Sequence, residues 1–382
     1  MKFIHSADWH IGRIFQNISL LDEQLYVLEQ LKQHIKTHRV DVLIIAGDIF
    51  DRSVPPADAM VALDVFLTEL IVETGVRIIM ISGNHDSARR LRFGTQQMQQ
   101  SGLYILTDIT AIQTPIRIES SAGEQVDVYG IPYHDPVNVR EAFECDVRSH
   151  DDAHTYLVDK IKQVQIDDIP SILISHCFVV GGKISDSERP LSIGGLDCIG
   201  YEPLASFDYV ALGHLHSPQY KGVEHIRYAG SLLKYSFSES QQHKSVTLVE
   251  FDDVGLVSMQ PLALNAKHDL RIISGLLKDL LEQAKIDVNL DDYILVRLED
   301  THDLLEPLAQ LRCFYPNILQ LEYTKLMLSA DAIIINEGEQ HTESDVFNDF
   351  FQQVTGFELN DSQQALLQSV VLEAQQAMDA DV

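Results

Sequence analysis

Five short segments of the 382-residue chain combine carboxylates, imidazoles and one amide at spacings that suit metal chemistry. They are Asp8-Trp9-His10, Gly47-Asp48-Ile49-Phe50-Asp51, Gly83-Asn84-His85-Asp86, Ser175-His176 and Gly213-His214-Leu215-His216. Asp and His with a single Asn oxygen make a mixed donor set, which suits manganese, iron or zinc better than calcium or a soft thiolate site. The i, i+2 pairs Asp8/His10 and His214/His216 leave the same loop together, so each can grip one ion or serve two. Asp8, His10, Asp48, Asn84, His176, His214 and His216 are more ligands than one ion with an open position uses. They imply two ions about 3.5–4 Å apart with a bridging carboxylate. Asp48 is the expected bridge, because a carboxylate has two oxygens to share. With Asn84 engaged as a ligand, His85 is free to contact an attacked phosphate or protonate a leaving oxygen, with Asp86 as its orienting partner. The chemistry implied is phosphoester hydrolysis.

Each motif also has a plainer reading: Asp8 as a helix cap, Gly47-Asp48 as a turn, His176 as a hydrogen-bonded core histidine, Asn84-His85 as a strand end. What favours chemistry is that all five fall at or just after the ends of expected strands, 3–6, 42–46, 76–82, 171–175 and 209–212. In open α/β sheets such loops converge in space. The other eleven of the sixteen histidines, His5, His134 and His225 among them, are expected to serve structure.

The supporting elements follow from periodicity. Short apolar runs alternate with helical stripes up to about Pro218, which indicates a layered α/β domain with buried strands. Residues 20–38 place Leu21, Leu25, Leu28, Leu31 and Ile35 on one helical face, and residues 57–72 do the same with Val61, Phe66, Leu67 and Leu70. A further strand is expected at 126–131, and hairpins at 109–129 and 245–262. Beyond Asn265 the order helix 276–284, strand 293–298, helix 304–312, strand 318–323 suggests a small α+β domain. Two amphipathic helices follow, one through Val346, Phe347, Phe350, Phe351 and Val354, the other through Leu366, Leu367, Val370, Val371 and Met378. Gly356 is the expected stop between them, and Asn360 with Gln363 a capping pair. The expected division is 1–265, 266–328 and 329–382.

A formal net charge of −29 argues against a broad basic face for nucleic acid or anionic membrane. The charge is uneven: residues 326–382 carry eleven Asp or Glu and no Lys or Arg, whereas residues 1–100 are nearly balanced. At 45% apolar residues the chain is expected to fold. An N-terminus without an apolar h-region, and no stretch of about 18 apolar residues, give the expectation of a soluble, cytoplasmic protein. Cys145, Cys177, Cys198 and Cys313 stand far apart, so reduced structural thiols are expected.

The order D-x-H, G-D-x-x-D, G-N-H-D, lone His, G-H-x-H resembles the calcineurin-like metallophosphoesterase superfamily. Ile4–Gly12, Ala46–Asp51 with Pro55-Pro56, Ser185-Asp186-Ser187-Glu188-Arg189-Pro190 leading to Gly194-Gly195, and Gly230–Glu239 resemble, within it, the SbcD family of bacterial DNA-repair nuclease subunits. The resemblance implies a four-layer metallophosphoesterase sandwich, two mixed sheets flanked by helices, with a small α+β capping domain and a C-terminal helical tail. It implies one ion on Asp8, His10, Asp48 and His216, a second on Asp48, Asn84, His176 and His214, and His85 as the catalytic histidine. It further implies a manganese-dependent exonuclease on duplex ends and endonuclease on single strands and hairpins. The implied partners are the coiled-coil ATPase SbcC, DNA, and a second copy through helices near 57–72 and 91–100. The chain has no G-x-x-x-x-G-K-[ST] phosphate loop, so any ATP dependence belongs to the partner.

Phosphate contacts need Lys or Arg. The candidates are Arg89, Arg90 and Arg92, with Arg13, Arg52, Lys183 and Arg189 in loops beside the motifs; a solvated helix face is the plainer reading of the first three. Phe347, Phe350, Phe351, Leu367 and Val370 are the expected partner contacts of the tail, against the alternative of packing within the chain. Two rival functions stand beside the nuclease: a phosphodiesterase or phosphatase for a nucleotide or small molecule on the same centre, and a non-catalytic scaffold.

Overall fold

Short strands buried along nearly their whole length decide the architecture. The computed structural model describes residues 1–120, 123–188, 197–302, 304–324, 347–348, 351 and 359–380, and the chain divides into two units, Met1–Leu270 and Arg271–Val382. The first unit runs β1 (Lys2–Ser6), α1 (Leu21–His38), β2 (Val42–Ile45), α2 (Ala57–Thr74), β3 (Arg77–Ile81), α3 (Ala88–Leu91), α4 (Thr95–Gln99) and β4 (Leu103–Leu106). It continues with β5 (Ile116–Glu119), β6 (Gln125–Ile131), α5 (Pro136–Phe143), α6 (His150–Lys162), β7 (Ser171–His176), β8 (Tyr209–Gly213), β9 (Gln219–Lys221), β10 (Val223–Tyr228), β11 (Ser245–Phe251) and β12 (Leu256–Ala263).

These strands make two six-stranded sheets, in the orders β12-β11-β1-β2-β3-β4 and β9-β10-β8-β7-β6-β5. Each is mixed: β1 to β4 are parallel, as are β10, β8, β7 and β6, while the flanking hairpins add antiparallel strands. Phe3, Val42, Ile44, Ile79 and Ile81 of the first sheet meet Val126, Val128, Ile172, Ile174, Tyr209 and Ala211 of the second in one core. Tyr129, Ile131, Leu173, Val210 and Leu212 alternate with these and pack with Val139, Leu157, Val158 and Ile161 of α5 and α6. On the first sheet Ile4, Leu43, Ile45, Ile78 and Met80 are equally buried, on the face that right-handed β-α-β crossovers cover with α1 and α2. Strands buried on both faces read as continuous apolar runs, which is why they are visible in the sequence. The result is the four-layer α/β sandwich.

Two expected stripes are rotated. The buried face of α1 runs through Gln24, Val27, Leu28, Leu31 and Ile35, with Leu21 and Leu25 only half-buried. On α2 the buried residues are Ala59, Leu63, Phe66, Leu67 and Leu70, whereas Val61 is 62% exposed. That helix is apolar over more than half its circumference, so periodicity does not single out its inner face.

The second unit holds β13 (Leu270–Gly275), α7 (Leu277–Ala284), β14 (Tyr293–Leu298), α8 (Pro307–Arg312) and β15 (Ile318–Tyr323), with sheet order β13-β14-β15. Ile273, Leu280, Ile294, Val296, Leu311 and Tyr315 form its core. β13 is an addition to the expected elements, since Ile272-Ile273 is too short an apolar run to register. α8 starts later than expected because Pro307 occupies its first turn. At the start of α9 (Asp361–Ala380), Asn360 and Gln363 exchange backbone-to-side-chain hydrogen bonds of 3.0 Å each, the expected capping pair. The helix expected at 346–354 falls mostly outside the described residues, as do Gly356 and the 328/329 boundary. Cys145, Cys177 and Cys313 are free thiols. Among the described residues no helix is long and apolar enough to cross a membrane.

Candidate metal centre

The loops after β1, β2 and β3 carry Asp8 and His10, Asp48, and Asn84 to Asp86; β7 ends on His176, and His214 and His216 follow β8. The parallel register puts Gly213 beside His176 and aligns the ends of β1, β2 and β3, so all seven candidate ligands are brought to one edge of the two sheets. Four of them leave the usual backbone regions: Asp8 (φ 51°), His10 (45°), Asp48 (49°) and His214 (108°). Left-handed conformations in non-glycine residues are uncommon and cluster where side chains are aimed for function. Gly47 (φ 90°) lets the β2 loop approach β7; a Cβ there would lie 2.3 Å from His176 Nδ1.

The donors form two groups around Asp48. His10 Nε2 lies 3.1 Å from His216 Nε2 and 3.7 Å from Asp48 Oδ2. His176 Nε2 lies 2.9 Å from Asn84 Oδ1 and 3.5 Å from Asp48 Oδ2, and His214 Nδ1 is 3.3 Å from Asn84 Oδ1. Asp8 Oδ1 accepts the backbone N–H of His214 at 2.9 Å, while Asp8 Oδ2 is buried with no partner. Bonds of about 2.1 Å to one ion place neighbouring ligand atoms about 3 Å apart, so these spacings fit divalent metals. The hydrogen bonding is compatible with this: His176 Nδ1 donates to the Ala46 carbonyl at 2.8 Å, so in the neutral ring the Nε2 lone pair faces Asn84 and Asp48. Two imidazole nitrogens 3.1 Å apart, and in the same cluster a buried Asp8 oxygen without a partner, are what bound cations would resolve.

Electrostatics give the same reading. Burial alone would push Asp48 up, but His176, His10 and His85 hold it well below the usual carboxylate range. Burial would depress His176, yet Asp48 and Asp8 push it up to about 9. Burial pushes Asp8 well up and takes His214 down to about 3. Buried carboxylates and imidazoles thus set one another's charge in a single coupled cluster.

One role is corrected. Asp86 does not orient His85: its carboxylate accepts the backbone N–H groups of Gly83 (2.9 Å), Phe50 (3.0 Å) and Ile49 (3.1 Å), tying the β2 and β3 loops together. Adjacency in sequence misleads, because successive side chains in that turn diverge. His85 is set by two other groups, its N–H donating to Asp48 Oδ1 at 2.8 Å and its Nδ1 to the Asp51 carbonyl at 2.8 Å. Its Nε2 is 4.0 Å from Asp48 Oδ2.

Other residues hold the centre that the motifs do not name. Gln24 of α1 is fully buried, donates to the carbonyls of Trp9 (3.1 Å) and His10 (2.8 Å), and accepts from Gly12 N–H at 3.0 Å. It thereby fixes the loop in which His10 is left-handed. Tyr235 stacks edge-on against His10 and His216 and donates to the Trp9 carbonyl. A buried amide within a leucine stripe is the available signal for Gln24.

The basic candidates scatter. Arg13 lies 3.1 Å from Asp51 and 5.0 Å above the Tyr235 ring, beside the centre. Arg52, Arg89, Arg90 and Lys183 are exposed. Arg92 is paired with Asp108 at 2.9 Å, and Arg189 lies outside the described residues.

Two facing mixed sheets with a dimetal donor set at their strand ends define a metal-dependent phosphoesterase. The chain belongs to the calcineurin-like phosphoesterase family, whose model matches residues 1–218. Residues 266–355 match a second family model, SbcD_C, described as the type 5 capsule protein repressor C-terminal domain. Similar solved structures include a hypothetical protein from Thermus thermophilus, 13% identical, over 69% of this chain and 98% of that one, with a TM-score of 0.39. A dimetal phosphatase from Danio rerio is 12% identical over 69% and 99%, TM-score 0.39. YfcE, a phosphoesterase from E. coli, is 12% identical over 69% and 100%, TM-score 0.26.

Proposed function

We propose that the protein is a manganese-dependent DNA nuclease subunit of the SbcD kind, an exonuclease on duplex ends and an endonuclease on single strands and hairpins, acting with the coiled-coil ATPase SbcC in DNA repair and recombination. The observation that carries this reading is the conjunction in one chain of the complete seven-residue donor set with the C-terminal SbcD_C match.

Asp8, His10, Asp48 and His216 would hold one ion, and Asp48, Asn84, His176 and His214 the other. Two bound divalent ions would activate a water and stabilise charge on the phosphoryl oxygens. His85 keeps its proton at Nδ1 on the Asp51 carbonyl, so Nε2 faces the reacting phosphate and, when protonated, donates to it or to the leaving oxygen. Arg13 and the exposed Arg52, Arg89, Arg90 and Lys183 supply phosphate contacts around the loops.

The test is manganese-dependent cleavage of linear duplex and hairpin DNA, with and without SbcC, against His85→Ala. The variant is expected to be about 10²–10⁴-fold slower. An equally active variant overturns the mechanism, and hydrolysis of small phosphodiesters without DNA cleavage would favour the nucleotide enzyme.

The partner contact is placed on the tail. Leu366 and Val370 of α9 are 65% and 53% exposed, Leu367 is half-buried, and Phe347 is 43% exposed; Phe350 lies outside the described residues. Exposed apolar positions on an acidic segment suit a helix-in-groove contact with a basic coiled coil. Deleting residues 340–382 is expected to abolish SbcC binding while sparing hydrolysis of a small phosphodiester; loss of both, or of neither, would reject this placement. The homodimer is assigned to α2 and the segment after α3, where Met60, Val61, Val65 and Phe93 are exposed.

A further inference from the structure

The segments Ser185–Glu188 and Gly230–Glu239 carry no ligand, yet they meet behind His216. Its Nδ1 lies 2.6 Å from Ser187 Oγ and 3.4 Å from Glu239 Oε1, and the Ser187 hydroxyl donates to Glu239 Oε1. Glu239 Oε2 accepts from Lys244 Nζ at 2.6 Å. Lys244 Nζ also reaches the His216 carbonyl (2.8 Å), Ser231 Oγ (2.9 Å) and Gln242 Oε1 (2.7 Å), while Glu188 accepts the His216 backbone N–H at 2.7 Å. Glu239 is fully buried and Lys244 is 6% exposed.

We propose that Ser187, Glu239 and Lys244 form a positioning chain that fixes the tautomer and orientation of His216, and so sets the affinity of the ion shared by His216 and His10. The proposal rests on the two-ion reading above. A buried Lys–Glu pair is weak evidence of stabilisation, since desolvating two charges offsets most of their attraction. Its geometry is better explained by what it does to the imidazole. With Ser187 donating to the carboxylate, its oxygen lone pair must accept from His216 Nδ1–H, which leaves Nε2 deprotonated toward His10. The carboxylate behind the hydroxyl makes that imidazole a stronger donor, as partners behind metal-bound histidines do. His176 has only a main-chain carbonyl in the equivalent place, and His10 Nδ1 has no hydrogen-bond partner. The two donor groups therefore differ: His216 has a charged support behind it, whereas His176 has a main-chain carbonyl.

The test is a manganese titration of the full chain, with bound ions counted by calorimetry and electron paramagnetic resonance. The parent is expected to bind two ions; fewer than two would defeat the underlying two-ion reading rather than the positioning chain. The double variant Glu239→Gln/Lys244→Met removes both charges together, so neither is left unpaired. It is expected to bind one ion as the parent does and the other about 10–100-fold more weakly, as His216→Ala does more severely. Ser187→Ala, which leaves the ion pair in place, should weaken the same ion, and Ser187→Thr should restore it. Unchanged affinity for both ions in Ser187→Ala, or equal weakening of both ions, overturns the proposal.

Discussion

Replacing Asp48 with Asn lowers phosphodiester hydrolysis by about 10³-fold or more, a loss of about 4 kcal/mol of transition-state stabilisation. One carboxylate stands between both donor groups: its Oδ2 lies within 4.0 Å of His10, His85 and His176 Nε2 atoms, and its Oδ1 holds the His85 backbone. The amide keeps the size but removes the negative charge and presents N–H groups where lone pairs converge. Metal content measured on the purified variant should fall below two ions per chain, in step with the rate. A variant within tenfold of the parent, with two ions bound, would refute Asp48 as the bridge.

Gly213→Ala is expected to destabilise the first unit by about 4 kcal/mol or more, a large part of the stability of an ordinary domain. A Cβ at this position would meet the Ala46 carbonyl oxygen at 1.8 Å and His176 Nδ1 at 2.8 Å. Neither obstacle yields readily. Ala46 is tied through its N–H to the Ser6 carbonyl at 2.9 Å, and Gly213 is in register with His176 at the end of β8. Here the two sheets touch through bare backbone, which sets the spacing of the donor groups. Urea denaturation would show the midpoint shift, and an unchanged midpoint would mean that the β2 and β8 ends are not held as closely as described.

Much of this arrangement is legible from sequence because the strands are buried on both faces and end in chemically distinctive loops. The core strands from Phe3 to Leu212 announce themselves as apolar runs, and strand-end logic then gathers Asp8, Asp48, Asn84, His176 and His214 without any contact being known. What escapes are relations that only tertiary structure creates. Gln24 looks like a polar interruption in a leucine stripe until Trp9, His10 and Gly12 are seen around it. Glu239 and Lys244 look like surface charges. Periodicity gives Val61 to the core because α2 is apolar on more than one side, and adjacency gives Asp86 to His85 because they are neighbours in the chain.

The distribution of the donors over both sheets has a consequence for how the protein is made. His10 and His216 stand 206 residues apart in sequence, and His214 the same distance from Asp8. Emerging N-terminus first, the nascent chain carries Asp8, His10, Asp48 and Asn84 long before it acquires the three histidines that complete either donor group. No shorter growing chain contains a full centre, so hydrolytic competence arrives only when the second sheet closes on the first. The order of synthesis itself thus keeps an incomplete chain from assembling the phosphoesterase centre.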